Sequence, residues 1–194
     1  KIFCQTSIEV CKGQQYDMNF ETTEHTTLPE YLNMIKLKTA VALAASMEIG
    51  AAIAGAPEDQ QRKIYAFGEN LGMAFQLQDD LLDAFGDQAK FGKKIGGDIL
   101  ANKKTYIYLK ALEVASDGEA ENIKLLYMSD TIPPEQKITQ VKEIFTKLNI
   151  PALTEKLINS YFDEAMQIFE DLSPDDSKKN ILKEFAYQIL NRDM

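Results

Sequence analysis

The stretch Phe75-Gln76-Leu77-Gln78-Asp79-Asp80-Leu81-Leu82-Asp83 leaves this chain few ways to fold. Read as a helix, it places Gln76, Asp79, Asp80 and Asp83 at i, i+3, i+4 and i+7, on one face. Phe75, Leu77, Leu81 and Leu82 cover the other sides. Carboxylates one turn apart repel each other, and no Lys or Arg occurs between Lys63 and Lys90 to offset them. Acid-rich helix faces are often simply solvated, but such faces usually mix Lys with Glu. This helix is apolar around most of its circumference, the pattern of a helix buried in a bundle, so its acidic stripe is expected to face a cavity. A divalent cation would relieve the repulsion. Oxygen ligands that leave room for water and phosphates are the set magnesium prefers.

Composition narrows the function classes. With 194 residues, 45% of them hydrophobic, the chain is read as a single all-α domain, or part of a larger one. A formal charge of −9 argues against nucleic acid as the main partner, because phosphate backbones need a basic footprint. Cys4 and Cys11 lie too far apart along a helix to bridge and are expected to be buried thiols in a reducing compartment. The lone histidine, His25, leaves a histidine-based zinc site and a di-iron bundle incomplete, and its Thr-rich polar surroundings give no sign of a Ser-His-Asp triad. No signal peptide or lipidation motif is visible. The longest apolar run, Thr39 to Met47, is too short to span a membrane, so a cytoplasmic location is expected. Phe3, Cys4, Ile8 and Cys11 share an arc of about 140° at 100° per residue. The chain thus opens inside a helix, and sequence upstream of Lys1 is expected to be missing.

Taken in order, the first helix continues through Gly13, Gln14, Asp17 and Met18 and fails at Glu21-Thr22-Thr23-Glu24-His25. Gln14 and Asp17, one turn apart, are either polar surface or two contacts to a common ligand. Thr27-Leu28-Pro29-Glu30 is a capping box with Pro in the first turn, starting a helix that is expected to run from Leu28 to about Ala54. Lys38 stands at the edge of its uncharged half, beside Thr39, and either snorkels to water or meets an anion. Pro57-Glu58-Asp59 opens the helix carrying the acidic stretch. Gly68 and Gly72 inside it cost stability and are tolerable where another backbone comes close. Residues 87–98 form a Gly- and Lys-rich loop, with Gly92, Lys93 and Lys94, suited to covering phosphate. It lacks the preceding strand and the spacing of a P-loop. Asp98 is expected to cap a helix from Ile99 to Ala115, with Asn102, Lys103, Lys104 and Thr105 in its first turns. Helices near 119–128, 134–148, 152–171 and 176–190 follow, punctuated by Pro133-Pro134, Pro151 and Ser173-Pro174. Asp175-Asp176 is expected to cap the last of them. No strand pattern appears.

Together, Gly13-Gln14-x-x-Asp17, Lys38-Thr39, Phe75-Gln76-x-x-Asp79-Asp80-x-x-Asp83, Gly92-Lys93, Gly97-Asp98 and Asn102-Lys103 resemble the motif series of the trans-isoprenyl diphosphate synthases. The resemblance implies an isoprenoid-synthase-type helical bundle around a central cavity, usually homodimeric. Two aspartate-rich motifs in such a bundle hold three magnesium ions on an allylic diphosphate. It further implies that Asp79 is the main magnesium ligand of the second motif, with Asp80 and Asp83 supporting it. Lys38, Lys93 and Lys103 would hold the allylic diphosphate, and Thr39 would lie at the reacting region. Phe75 and Gln76 would meet substrate, Gln14 and Asp17 would line the cavity, and Arg192 would lie near the second substrate. The implied reaction ionises the allylic diphosphate, adds isopentenyl diphosphate to the cation and eliminates a proton. The first aspartate-rich motif has no match here. The chain is therefore expected to be the C-terminal portion of a synthase, inactive alone.

Three alternatives remain open. A class I terpene cyclase shares this fold and chemistry, but its second metal motif usually mixes Asn, Ser or Thr with Glu. The chain could also be the non-catalytic subunit of a heteromeric prenyl synthase, or a helical scaffold without a ligand.

Overall fold

A computed structural model describes residues 1–86, 95–173 and 176–190. The fold is all-α, and no strand occurs among the described residues. The helices are α1 (Ile2–Thr22), α2 (Leu28–Ile35), α3 (Val41–Ile53), α4 (Glu58–Phe85), the single turn α5 (Gly97–Leu100), α6 (Tyr106–Val114), α7 (Asp117–Tyr127), α8 (Pro134–Lys147), α9 (Ile150–Glu170) and α10 (Asp176–Leu190). A π-helical turn, Lys36–Ala40, joins α2 to α3 without a break. The expected helix from Leu28 to about Ala54 therefore exists, with a wider turn at Lys38-Thr39 that the hydrophobic pattern does not reveal.

The chain divides into two compact units, and α1, α2, α4 and α9 each contribute residues to both. The first comprises Lys1–Asp17, Leu32–Gln76 and the described residues of Leu157–Asp193. Its core joins Phe67 and Leu71 of α4 to Phe162, Ala165 and Phe169 of α9, to Leu172 just after that helix, and to Ala186 of α10. The Phe67 and Phe169 rings lie 5.8 Å apart. Around the π turn, glycines let backbones approach where any side chain would collide. A Cβ on Gly13 would stand 2.3 Å from the Lys38 amide nitrogen, one on Gly72 2.5 Å from Ala40 Cα, and one on Gly68 2.8 Å from Ala44 Cα. The stability cost of Gly68 and Gly72 inside α4 is the condition for this close packing.

The second unit comprises Met18–Tyr31 and the described residues of Leu77–Lys156. Ile99, Ile107, Ile123, Val141, Phe145 and Ile150 are buried in it, and the Tyr108 and Tyr127 rings stack at 4.1 Å. The Thr27–Glu30 capping box forms as its sequence dictates: the Thr27 amide and hydroxyl both donate to Glu30 Oε2 at 2.8 Å. Ser116 and Glu119 make a second box at the start of α7. Pro134 opens α8, and Pro151 lies in the first turn of α9, where a missing amide hydrogen matters least.

Two expectations fail here. Cys4 and Cys11 are exposed, not buried, and so are Phe3 and Ile8 on the same arc; Gly13 is the buried residue of α1. The single helix expected over Ile99–Ala115 is broken. It stops after α5, Asn102 takes a left-handed conformation at φ 54°, and α6 starts at Tyr106. Asn tolerates that conformation better than most residues. Asp98 is also not the capping residue, which is Gly96 at φ 80°. Asp175 lies outside the described residues; α10 begins at Asp176.

Candidate functional site: an acidic helix face and its polar partners

In the first unit, three side chains of the π turn are paired. Lys38 Nζ lies 2.5 Å from Asp17 Oδ2, both half-buried. The Thr39 hydroxyl donates to Gln76 Oε1 at 3.0 Å. Lys36, which opens the turn, pairs with Glu69 at 2.8 Å. Four of the sequence-predicted residues are thus brought together two by two. Gln14, one turn from Asp17, is exposed, and Phe75 is half-buried.

The acidic face of α4 continues into the second unit. Apolar neighbours drive its burial: Leu77 is fully buried and Leu81 is 2% exposed. Asp79 is half-exposed. Asp80 is buried and accepts a hydrogen bond from the Tyr31 hydroxyl. Asp83 Oδ2 accepts the backbone amide of Asp98 at 2.9 Å, and the Gly96 amide donates to the Asp83 carbonyl at 2.6 Å. Asp98 in turn pairs with Lys103, Oδ1 to Nζ at 2.6 Å. The chain after the loop is therefore fastened back onto the acidic helix, through Asp83 and Asp98.

Burial pushes the Asp83 carboxyl above the ordinary aspartate value. The Asp98 amide opposes the rise, the Asp98 and Asp79 carboxylates add to it, and Lys103 offsets part of it. Asp83 is thus held above its ordinary value mainly by burial. Lys103 is exposed at the turn, whereas Lys104 is turned away from the acids. Its ammonium donates to the carbonyls of Phe20, at 2.6 Å, and Thr23, satisfying backbone acceptors at the end of α1. The expectation that both lysines stand in the first turn of a helix is corrected accordingly. Lys93 and Arg192 lie outside the described residues.

Tyr31 is the site residue that sequence reasoning missed. A buried tyrosine hydroxyl normally finds a partner, but its partner lies 49 positions away, beyond any local pattern. Tyr127 and Lys137 were likewise not singled out, although their contacts reach the turn that carries Lys103. Tyr127 donates to the Lys103 carbonyl at 2.8 Å.

Among the described residues, no three His, Cys, Asp or Glu side chains converge closely enough to hold a metal ion. Magnesium is usually held by one or two carboxylates completed by waters and phosphates rather than by a protein cage. A row of hard oxygen donors, two of them partly exposed, suits that mode of binding.

The Polyprenyl synthetase family model matches residues 1–148, well over half of the chain. The chain belongs to the polyprenyl synthetase family. It is 38% identical over 136 residues to a short chain isoprenyl diphosphate synthase of Methanocaldococcus jannaschii, covering 70% of this chain and 41% of that protein. The crystal structure of a geranylgeranyl pyrophosphate synthase superposes with a TM-score of 0.92 at 43% identity, over all of this chain and 60% of that one. A Corynebacterium glutamicum geranylgeranyl pyrophosphate synthase, complexed with isoprenyl diphosphate and magnesium, gives a TM-score of 0.90 at 27% identity, over 99% of this chain and 54% of that one. The chain spans about half the length of the curated relatives it matches. Membership of the polyprenyl synthetase family accords with an all-α fold, and among the described residues no helix is long and apolar enough to cross a membrane.

Proposed function

We propose that this chain contributes the diphosphate-binding residues of a magnesium-dependent trans-prenyltransferase, which joins an allylic diphosphate to isopentenyl diphosphate. The observation that carries the reading is the acidic face of α4, where Asp79 and Asp83 are both partly accessible and Asp80 and Asp83 are held in place by Tyr31 and the Asp98 amide. Such a face has a use for cations that bring phosphates with them. Membership of the polyprenyl synthetase family, and a relative solved with isoprenyl diphosphate and magnesium, point to the same ligand chemistry.

Asp79, Asp80 and Asp83 would hold the metal. Asp79 and Asp83 are both partly accessible, while Tyr31 orients Asp80 and the Asp98 amide orients Asp83. Magnesium, when bound, would neutralise negative charge on the departing diphosphate. Lys38, Lys93 and Lys103 would add fixed positive charge where that negative charge develops. Asp17 holds Lys38 ready for that task, and the bond between Thr39 and Gln76 would fix both at the reacting end of the substrate. Gln14 and Phe75 would complete the lining. Neither a nucleophilic side chain nor a histidine is needed, because the reaction proceeds through ionisation and the diphosphate itself can accept the proton. Asp-Asp-x-x-Asp together with Lys38-Thr39 favours a synthase over a terpene cyclase. A homodimer and a cytoplasmic location belong to the same reading.

The test is product formation by the full gene product that carries this sequence, given magnesium, an allylic diphosphate and labelled isopentenyl diphosphate. A labelled, longer prenyl diphosphate is expected, and Asp79→Ala should lower its rate by at least about 100-fold. An unlabelled cyclised hydrocarbon, or label remaining in isopentenyl diphosphate, would overturn the reading.

A further inference from the structure

Lys137, in the first turn of α8, is only 3% exposed, an unusual place for an ammonium group. A buried charge must have partners, and the described residues supply Lys137 with several. Its Nζ donates to Asn102 Oδ1 at 2.7 Å and to the Ser129 carbonyl at 3.3 Å, and it stands 5.9 Å from the centre of the Tyr127 ring. Asn102 is the residue held at φ 54°, so the lysine grips the turn at its most unusual conformation. The next peptide is held from both sides. The Lys103 amide donates to the Asp98 carbonyl at 3.0 Å, and the Lys103 carbonyl accepts from the buried Tyr127 hydroxyl. From Asp98 the chain of contacts runs on to the Lys103 ammonium and, through its own amide, to the Asp83 carboxylate.

We propose that Lys137 is a positioning residue. Anchored in α8 and backed by Tyr127, it locks the Gly96–Lys104 turn in the register that presents Lys103 and orients Asp83 for a magnesium–diphosphate ligand. The inference rests on the functional reading above for its ligand. A buried lysine kept only for packing would be replaceable by an apolar side chain of similar length. A lysine that sets the turn would not.

The test compares Lys137→Met with Val141→Ala, a cavity variant in the same helix, in the full gene product and at a temperature where all forms are folded. The Lys103 and Asp98 amides should exchange their hydrogens about tenfold faster in Lys137→Met and unchanged in Val141→Ala. Calorimetric affinity for magnesium pyrophosphate should fall roughly 10- to 100-fold in Lys137→Met, the range for partners that orient metal ligands, and stay within about twofold in Val141→Ala. Unchanged exchange, unchanged affinity, or an equal loss in both variants would overturn the positioning role while leaving the functional reading intact. Failure of the unaltered protein to bind magnesium pyrophosphate would overturn the functional reading, and Lys137's role in it as well.

Discussion

Single contacts decide how well the acidic face is held. Tyr31 is 4% exposed and Asp80 5%, so their hydrogen bond is made out of reach of water, where losing one partner costs more than an average bond is worth. Tyr31→Phe removes the donor and keeps the ring, and urea unfolding should show a loss of about 1–3 kcal/mol. Glycines near the π turn give a prediction of opposite signs. Gly13→Ala would force a methyl against the Lys38 amide, and overpacking of this kind costs roughly 1–3 kcal/mol. Gly50→Ala in α3 meets nothing within 4 Å and should stabilise by roughly 0.5–1 kcal/mol. Unfolding curves for the two variants should therefore shift in opposite directions, and a common direction would contradict the packing described here.

At the scale of elements, local rules explain where helices begin and long-range contacts explain where they change. Thr27-x-x-Glu30 and Ser116-x-x-Glu119 each cap a helix in the structure, and the first was legible because a capping box is made within four residues. The all-α fold and the acidic, buried character of α4 were legible for the same reason. Three features were not. The π turn at Lys36–Ala40 lies against Gly13 and Gly72, which are remote in sequence. The break at Asn102 is met by Lys137, far along the chain, and the exposure of Cys4 and Cys11 contradicts an arc that reads as apolar. The α7 cap also predicts acid sensitivity. Hydrogen bonds from Lys147 and Ser116 lower Glu119 from the ordinary 4.5 to about 2. A depressed carboxyl stabilises the fold above its unfolded value and loses that contribution as pH falls through the folded one. Stability should therefore drop between about pH 4.5 and 2, and Glu119→Gln should flatten that part of the profile. Thermal unfolding at several pH values checks it; an unchanged slope would show that the cap is not titrating.

On the scale of the whole molecule, family membership and an acidic helix face lead to one claim: the oxygen donors of α4 bind magnesium only together with diphosphate. Among the described residues, too few carboxylates converge to hold the metal alone, and −9 of formal charge repels a diphosphate that arrives without cations. Each component should therefore depend on the other. The most direct measurement is thermal unfolding of the full gene product with magnesium, a bisphosphonate, both, and neither. Ligand at about 100 times its dissociation constant adds roughly 2.7 kcal/mol to the native state, which raises Tm by several degrees in a domain of this size. The account predicts that rise only when both are present, and its loss in Asp79→Ala. A rise with the bisphosphonate alone, or no rise with both, would contradict it.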